Sequence, residues 1–265
     1  MTVSKVSMIC ICIAMILGVL LPALLILLLR KKTRGTWKAF FWGCGIFFLF
    51  AMVLESVVHR AVHDSPLGQT IWNTPILYAL YGGLMAGIFE ECGRFFAFRI
   101  PLNKELGEDD NALTYAAGHG GFEFFNLLFF TMLNNLIYAS VMSHPDKMAQ
   151  VYAHSTPEQA EQIRQVYELL AVTPAWNYFL SVVERCSALI LHFGFSVLVW
   201  FAVKKGGRKL WLFVLAILLH ALVDGSMVMV QTLLGNAVIT EICVFCAALS
   251  VGAFGFWVWK KEKNS

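Results

Sequence analysis

Charge is scarce in this sequence. Only 14% of its 265 residues are charged and 58% are hydrophobic, whereas about a quarter of an ordinary globular domain is charged. A soluble fold of this length cannot turn so much apolar surface inward, but a bilayer accepts apolar side chains on the outside. No basic cluster alternates with exposed aromatics and the formal charge is only +3, so nucleic acid is not an expected partner. Strand-like alternation is missing, which excludes a closed β-barrel. Neither an internal repeat nor a low-complexity tract is visible. Seven cysteines, Cys10, Cys12, Cys44, Cys92, Cys186, Cys243 and Cys246, all fall in apolar segments. They read as packing residues rather than a disulfide framework, and one CxxC inside a membrane segment is weak evidence for metal or redox chemistry.

What the sequence does have is seven long apolar runs, at 6–29, 38–58, 74–98, 112–140, 175–203, 210–230 and 237–259. Each supplies roughly the 20 helical residues that a hydrocarbon core requires. The expected fold is all-α: a single integral membrane domain over 1–265, a transmembrane helical bundle of about seven helices. The first run resembles a signal peptide, but it is too long and no small-residue cleavage signature follows. Arg30, Lys31, Lys32, Arg34 and Lys38 come directly after it, and further basic residues collect around 204–209 and 260–263. With the N-terminus outside, 14 of the 20 lysines and arginines fall on the inner side and 4 on the outer. This asymmetry predicts an external N-terminus and a cytoplasmic C-terminus; the expected location is a cell membrane, crossed several times, of the bacterial plasma-membrane kind. The longest connection, 141–174, lies on the outer side. Within it 158–171 has a helical stripe of Ile163, Val166, Tyr167 and Leu170, with Thr156 as cap and Pro157 at the first helical position.

Ionisable groups within these runs stand out, since each costs about 2.5–3.5 kcal/mol on insertion scales for Asp, Lys or Arg at mid-helix. The third run carries Glu90, Glu91 and Arg94, the fourth His119 and Glu123, the fifth Glu184, Arg185 and His192, and the sixth His220 and Asp224. Residues four apart share a helix face, which pairs Glu90 with Arg94, His119 with Glu123, and His220 with Asp224. Counted at about 1.5 Å per residue from the cytoplasmic ends, Glu90, His119, Glu123, His192 and His220 lie roughly 10–16 Å deep, near one level. Glycines at 82, 83, 87 and 93 and at 118, 120 and 121 surround these groups and permit close helix approach. Glu184 with Arg185 reads as a neutralising pair, and Glu55 with His59 as an interfacial, structural pair.

The segments GIFEECGRFFAFR, GHGGFE, ERCSALILHFGFS and HALVDG, in that order on separate runs, resemble the YhfC family of intramembrane metallopeptidases. The wider group is similar to the CAAX-processing and PrsW membrane proteases. Glu90, Glu91 and Arg94 match the glutamate pair and arginine of the CAAX-type pattern with one residue fewer before the arginine. His119 matches its first histidine, and His220 with Asp224 its last element. The resemblance implies an intramembrane endopeptidase acting on a membrane protein or peptide.

The residues themselves permit that chemistry. A desolvated glutamate, Glu90 or Glu91, can serve as general base, with Arg94 balancing the pair. Two histidines and a carboxylate form an accepted catalytic zinc set, which His119, His220 and one of Glu123 or His192 can supply. In a metal-free version Glu and His polarise the water while His220 and Asp224 hold the intermediate, and the sequence does not decide between the two. Midplane carboxylates and histidines also suit a proton-coupled transporter, although seven helices without an inverted repeat argue against one. An inactive scaffold of protease ancestry is the third reading.

Overall fold

The computed structural model describes residues 2–263, and among these there are ten helices and no strand. They are α1 (Lys5–Lys32), α2 (Trp37–His63), α3 (Pro66–Trp72), α4 (Pro75–Arg99), α5 (Asp110–Met142), α6 (Pro145–Ala153), α7 (Pro157–Val172), α8 (Asn177–Lys205), α9 (Trp211–Leu234) and α10 (Ala237–Glu262). Six of them, α1, α2, α5, α8, α9 and α10, are long and apolar enough to cross a membrane. Together they make the chain an all-α, multi-pass membrane protein. The seventh expected span, 74–98, is the 25-residue α4. Glu90, Glu91, Arg94 and Arg99 make it too charged to qualify on composition. Ile76, Leu80, Leu84 and Ile88, in the earlier part of the helix, face outward, whereas Glu90, Glu91 and Arg94 further along it are buried.

Local chemistry explains the boundaries. Proline opens α3, α4, α6 and α7, where its missing N–H is an orphan in any case and its fixed φ suits the first turn. Thr156 and Gln159 cap α7 reciprocally, as the expected helix at 158–171 required. The short helices α3 and α6 were not anticipated, since neither has enough apolar periodicity to declare itself. Two wide-turn stretches also interrupt the α geometry, Phe47–Leu54 in α2 and Phe125–Phe129 in α5. Single-sequence patterns do not reveal such turns, which recur at functional sites.

The described residues group into two compact units. The first comprises residues up to Leu21 together with Phe124–Arg185. Its core gathers Val3, Ala139, Met142, Tyr167 and Leu170, with Ile163 and Val166 packed against them, so the apolar stripe of α7 faces inward.

The second unit, Pro22–Glu123 together with the residues from Cys186 onward, holds the larger core. The later half of α8, Phe195–Val203, is buried throughout and packs with Phe98, Tyr115 and Ala216. Helices α4 and α9 run in close contact because Gly83 and Gly87 carry no side chain. A Cβ at Gly83 would lie 2.3 Å from the Ala221 carbonyl oxygen, and one at Gly87 2.7 Å from that of Ile217. At the lysine-bearing end, polar ties fix the helix starts. Asp110 accepts from the Arg34 backbone N–H at 2.9 Å and from Lys263 Nζ at 2.8 Å. Asn111 Oδ1 accepts from the Thr36 backbone N–H at 2.8 Å. Asp109 accepts from Trp200 Nε1 at 2.9 Å and from Lys204 Nζ at 2.5 Å.

Candidate metal and catalytic centre

Four helices of the second unit bring the ionisable groups into one connected cluster. Helix α4 contributes Glu90, Glu91 and Arg94; α5 contributes His119 and Glu123; α8 contributes His192; and α9 contributes His220 and Asp224. The contact between α4 and α9 positions Glu91 against His220, with Oε1 and Nδ1 2.7 Å apart. Gly120 makes room for His192, since a Cβ there would stand 2.8–3.0 Å from three of its side-chain atoms.

Arg94 is the hub and is completely buried. Its Nη1 donates to Glu91 Oε1. Its Nη2 reaches Glu90 Oε2 at 3.3 Å and His192 Nδ1 at 2.5 Å. A guanidinium can only donate, so His192 Nδ1 accepts and the ring proton sits on Nε2, which is paired with Glu123. Glu90 Oε2 also meets His119 Nε2 at 3.0 Å and lies 3.8 Å from His192 Nδ1. The two ring nitrogens of His220 face two carboxylates, Glu91 and, at 3.5 Å, Asp224.

All eight residues singled out in the sequence therefore lie in one network, in groupings that the sequence did not specify. The donor atoms of Glu90, His119 and His192 fall within 4.8 Å of one another. His220 sits instead between Glu91 and Asp224, and Glu123 stands behind His192. Seven of the eight are buried, while the Asp224 side chain is 37% exposed. Glu184 and Arg185 are paired at 2.6 Å in the other unit.

Sequence reasoning missed the aromatic frame. Phe195 stacks on His220 with ring centroids 4.7 Å apart, and Phe47 meets His119 edge-on at 5.2 Å. Tyr115 Oη lies 3.4 Å from His119 Nδ1. The four-residue spacing of Tyr115 and His119 was the one available signal for this frame, since residues so spaced share a helix face.

The donor set fits a divalent metal ion. Two imidazole nitrogens and a carboxylate oxygen are a recognised catalytic zinc set that leaves a position open. The lone pairs of Glu90 Oε2 and His192 Nδ1 already converge on one cationic atom, Arg94 Nη2. Three buried carboxylates, Glu90, Glu91 and Glu123, lie in a cluster with one guanidinium, which bonds only Glu90 and Glu91. Buried charge of that kind demands compensation, which a dication would complete. Glu91 Oε2 is buried with no hydrogen-bond partner, an unusual state for a carboxylate oxygen in a protein interior.

Residues 17–244 match the family described as YhfC intramembrane metalloprotease. The chain is 33% identical over 264 residues to the protein named uncharacterized membrane protein YhfC of Bacillus subtilis (strain 168), covering 98% of each. No solved structure matches it. With most of its length inside the family match and a relative aligned nearly end to end, the chain belongs to the YhfC intramembrane metalloprotease family.

Proposed function

We propose that this protein is an intramembrane endopeptidase in which Glu90, His119 and His192 hold a zinc ion and Glu91 is the general base. The observation that carries this reading is the contrast between two adjacent glutamates. Glu90 Oε2 is directed at both candidate imidazole ligands, whereas Glu91 keeps one buried oxygen without a partner. A metal ion held by the three ligands would lower the pKa of a bound water and polarise the scissile carbonyl.

The protein's own groups supply the rest. Glu91 Oε2 takes a proton from the attacking water as its oxygen bonds to the carbonyl carbon. The same carboxyl returns that proton to the departing nitrogen as the C–N bond breaks, leaving a carboxylic acid, which keeps the water's second proton, and an amine. Arg94 and His220, both on Glu91 Oε1, fix the carboxylate so that Oε2 is the free atom. Asp224 holds the far side of the His220 ring and so positions Glu91 through it. Glu123 keeps the proton of His192 on Nε2, leaving Nδ1 as the donor atom.

The test is cleavage of a membrane-embedded peptide by the protein in proteoliposomes. Glu91→Gln should lower the rate by about 10²–10⁴-fold, the usual contribution of a general base, with metal content unchanged. Glu90→Gln should lose both activity and metal. Full activity in Glu91→Gln would refute the assignment.

A further inference from the structure

We infer that water and substrate reach this centre from the end of the protein that carries Glu55, His59 and Tyr81, while the lysine-bearing end is sealed. Two observations on opposite sides of the cluster support this.

Toward the lysine-bearing end the path is blocked by rings. Phe98, Tyr115 and Trp200 are completely buried, with Phe98 meeting Tyr115 at 4.6 Å and Trp200 at 5.0 Å between centroids. Tyr115 lies directly beneath His119, 5.8 Å from its ring. The hydrogen bond from Trp200 Nε1 to Asp109, itself held by Lys204, locks this layer to the polar end. Tightly packed rings of this kind leave no space for a water chain.

In the other direction polar groups continue and open. Beyond His220 comes Asp224. Glu55 on α2 lies within electrostatic reach of Glu90, His220 and Asp224. Its Oε1 meets His59 Nε2 at 3.0 Å, and His59 Nδ1 meets Tyr81 Oη at 2.8 Å. Side-chain exposure on this side is 37% at Asp224, 12% at Glu55 and 40% at His59, against none at Glu91. Tyr81 lies nine residues before Glu90 on α4, about 13 Å along the helix. It touches Trp72, which in turn touches Tyr78, an aromatic group of the kind that marks a membrane–water interface. The wide-turn stretch of α2 ends at Glu55, whose N–H bonds the Phe50 carbonyl five residues back. Glu55 and Asp224 each use one oxygen on a histidine, His59 or His220, and among the described residues neither has a lysine or arginine partner.

Lysine-rich ends face the cytoplasm, so the open end is the outer one. Resting on the protease reading, this names the substrate class: a membrane-anchored peptide whose scissile segment enters from the outer leaflet side.

Single cysteines introduced into the full chain with its native cysteines replaced by serine test the route without requiring proteolysis. An impermeant maleimide applied to right-side-out vesicles should modify Glu55→Cys and Tyr81→Cys at least tenfold faster than it modifies Phe98→Cys or Trp200→Cys from either side. Labelling of Phe98→Cys or Trp200→Cys from the cytoplasmic side would overturn the inference, as would failure of Glu55→Cys and Tyr81→Cys to react from outside. Hydroxyl-radical footprinting of the unaltered protein covers the case in which a core variant does not fold. Oxidation of His59 and Tyr81 with protection of Tyr115 and Trp200 supports the route, and the reverse pattern refutes it. An inactive protein that still labels from the outer side would remove the protease reading and leave the route standing.

Discussion

Alanine at position 83 should disable this protein while alanine at position 82 should not. Both glycines lie on α4, one residue apart. A Cβ at Gly82 meets nothing within 4 Å, whereas at Gly83 it would lie 2.3 Å from the Ala221 carbonyl oxygen and 2.9 Å from the Gly225 nitrogen. Ordinary contact begins at 3.4 Å, so α4 and α9 must part locally by about 1.1 Å, a displacement that close-packed backbone cannot absorb elsewhere. The same two helices carry Glu91 and His220, whose bond is 2.7 Å. Opened by about that much, it exceeds the hydrogen-bond range, and Glu91 loses one of the two groups that orient it. A misplacement of about 1 Å costs on the order of 10²-fold in rate. Proteoliposome cleavage should show that loss in Gly83→Ala, together with a lower unfolding temperature in detergent. Gly82→Ala should match the parent in both, helped by the better helix propensity of alanine. Equal behaviour of the two variants would refute the claim that the α4–α9 contact sets the site.

Other perturbations follow from the same geometry. Arg94→Met strips two buried carboxylates of their shared partner and should destabilise the protein by about 3–5 kcal/mol, read from thermal unfolding in detergent; Arg94→Lys should recover only part, lacking the planar fork. Trp200→Phe removes one donor from Asp109 and should cost about 1 kcal/mol with cleavage retained. Hydrogen bonds from Arg164 hold the Glu161 carboxyl on α7 below the usual glutamate range. Its contribution is therefore complete above that range and disappears as pH falls through the lowered value. Amide exchange in α7, corrected for intrinsic rates, should accelerate on acidification in the parent and stay flat in Glu161→Gln.

Much of the fold could be read in the sequence because lipid imposes a simple rule. A run such as 237–259 has one stable state in a bilayer, and α10 at Ala237–Glu262 extends it by only three residues. The cap of α7 was readable for the same local reason, with Thr156, Pro157 and Gln159 all at their preferred places. Helices α3 and α6 were not, because seven or nine residues hold too few apolar positions to show a period. At the centre, four-residue spacing put His119 on the face of Glu123, and depth counting put four helices at one level. Which donor faces which partner was beyond reach. The sequence favoured His220 over His192 as a ligand, yet the α4–α9 approach at Gly83 directs His220 to Glu91, and the gap at Gly120 leaves His192 beside Arg94. Glu55 and His59, expected from their spacing as an interfacial pair, do bond, at 3.0 Å.

The central claim is that Glu90, His119 and His192 form one metal-binding triad inside the membrane. Elemental analysis of the protein purified in detergent beside a His119→Ala, His192→Ala double variant addresses it most directly. One zinc per chain in the parent and none in a folded double variant is the predicted result. A parent that binds no metal after equilibration with zinc, or a double variant that retains a full equivalent, would contradict it.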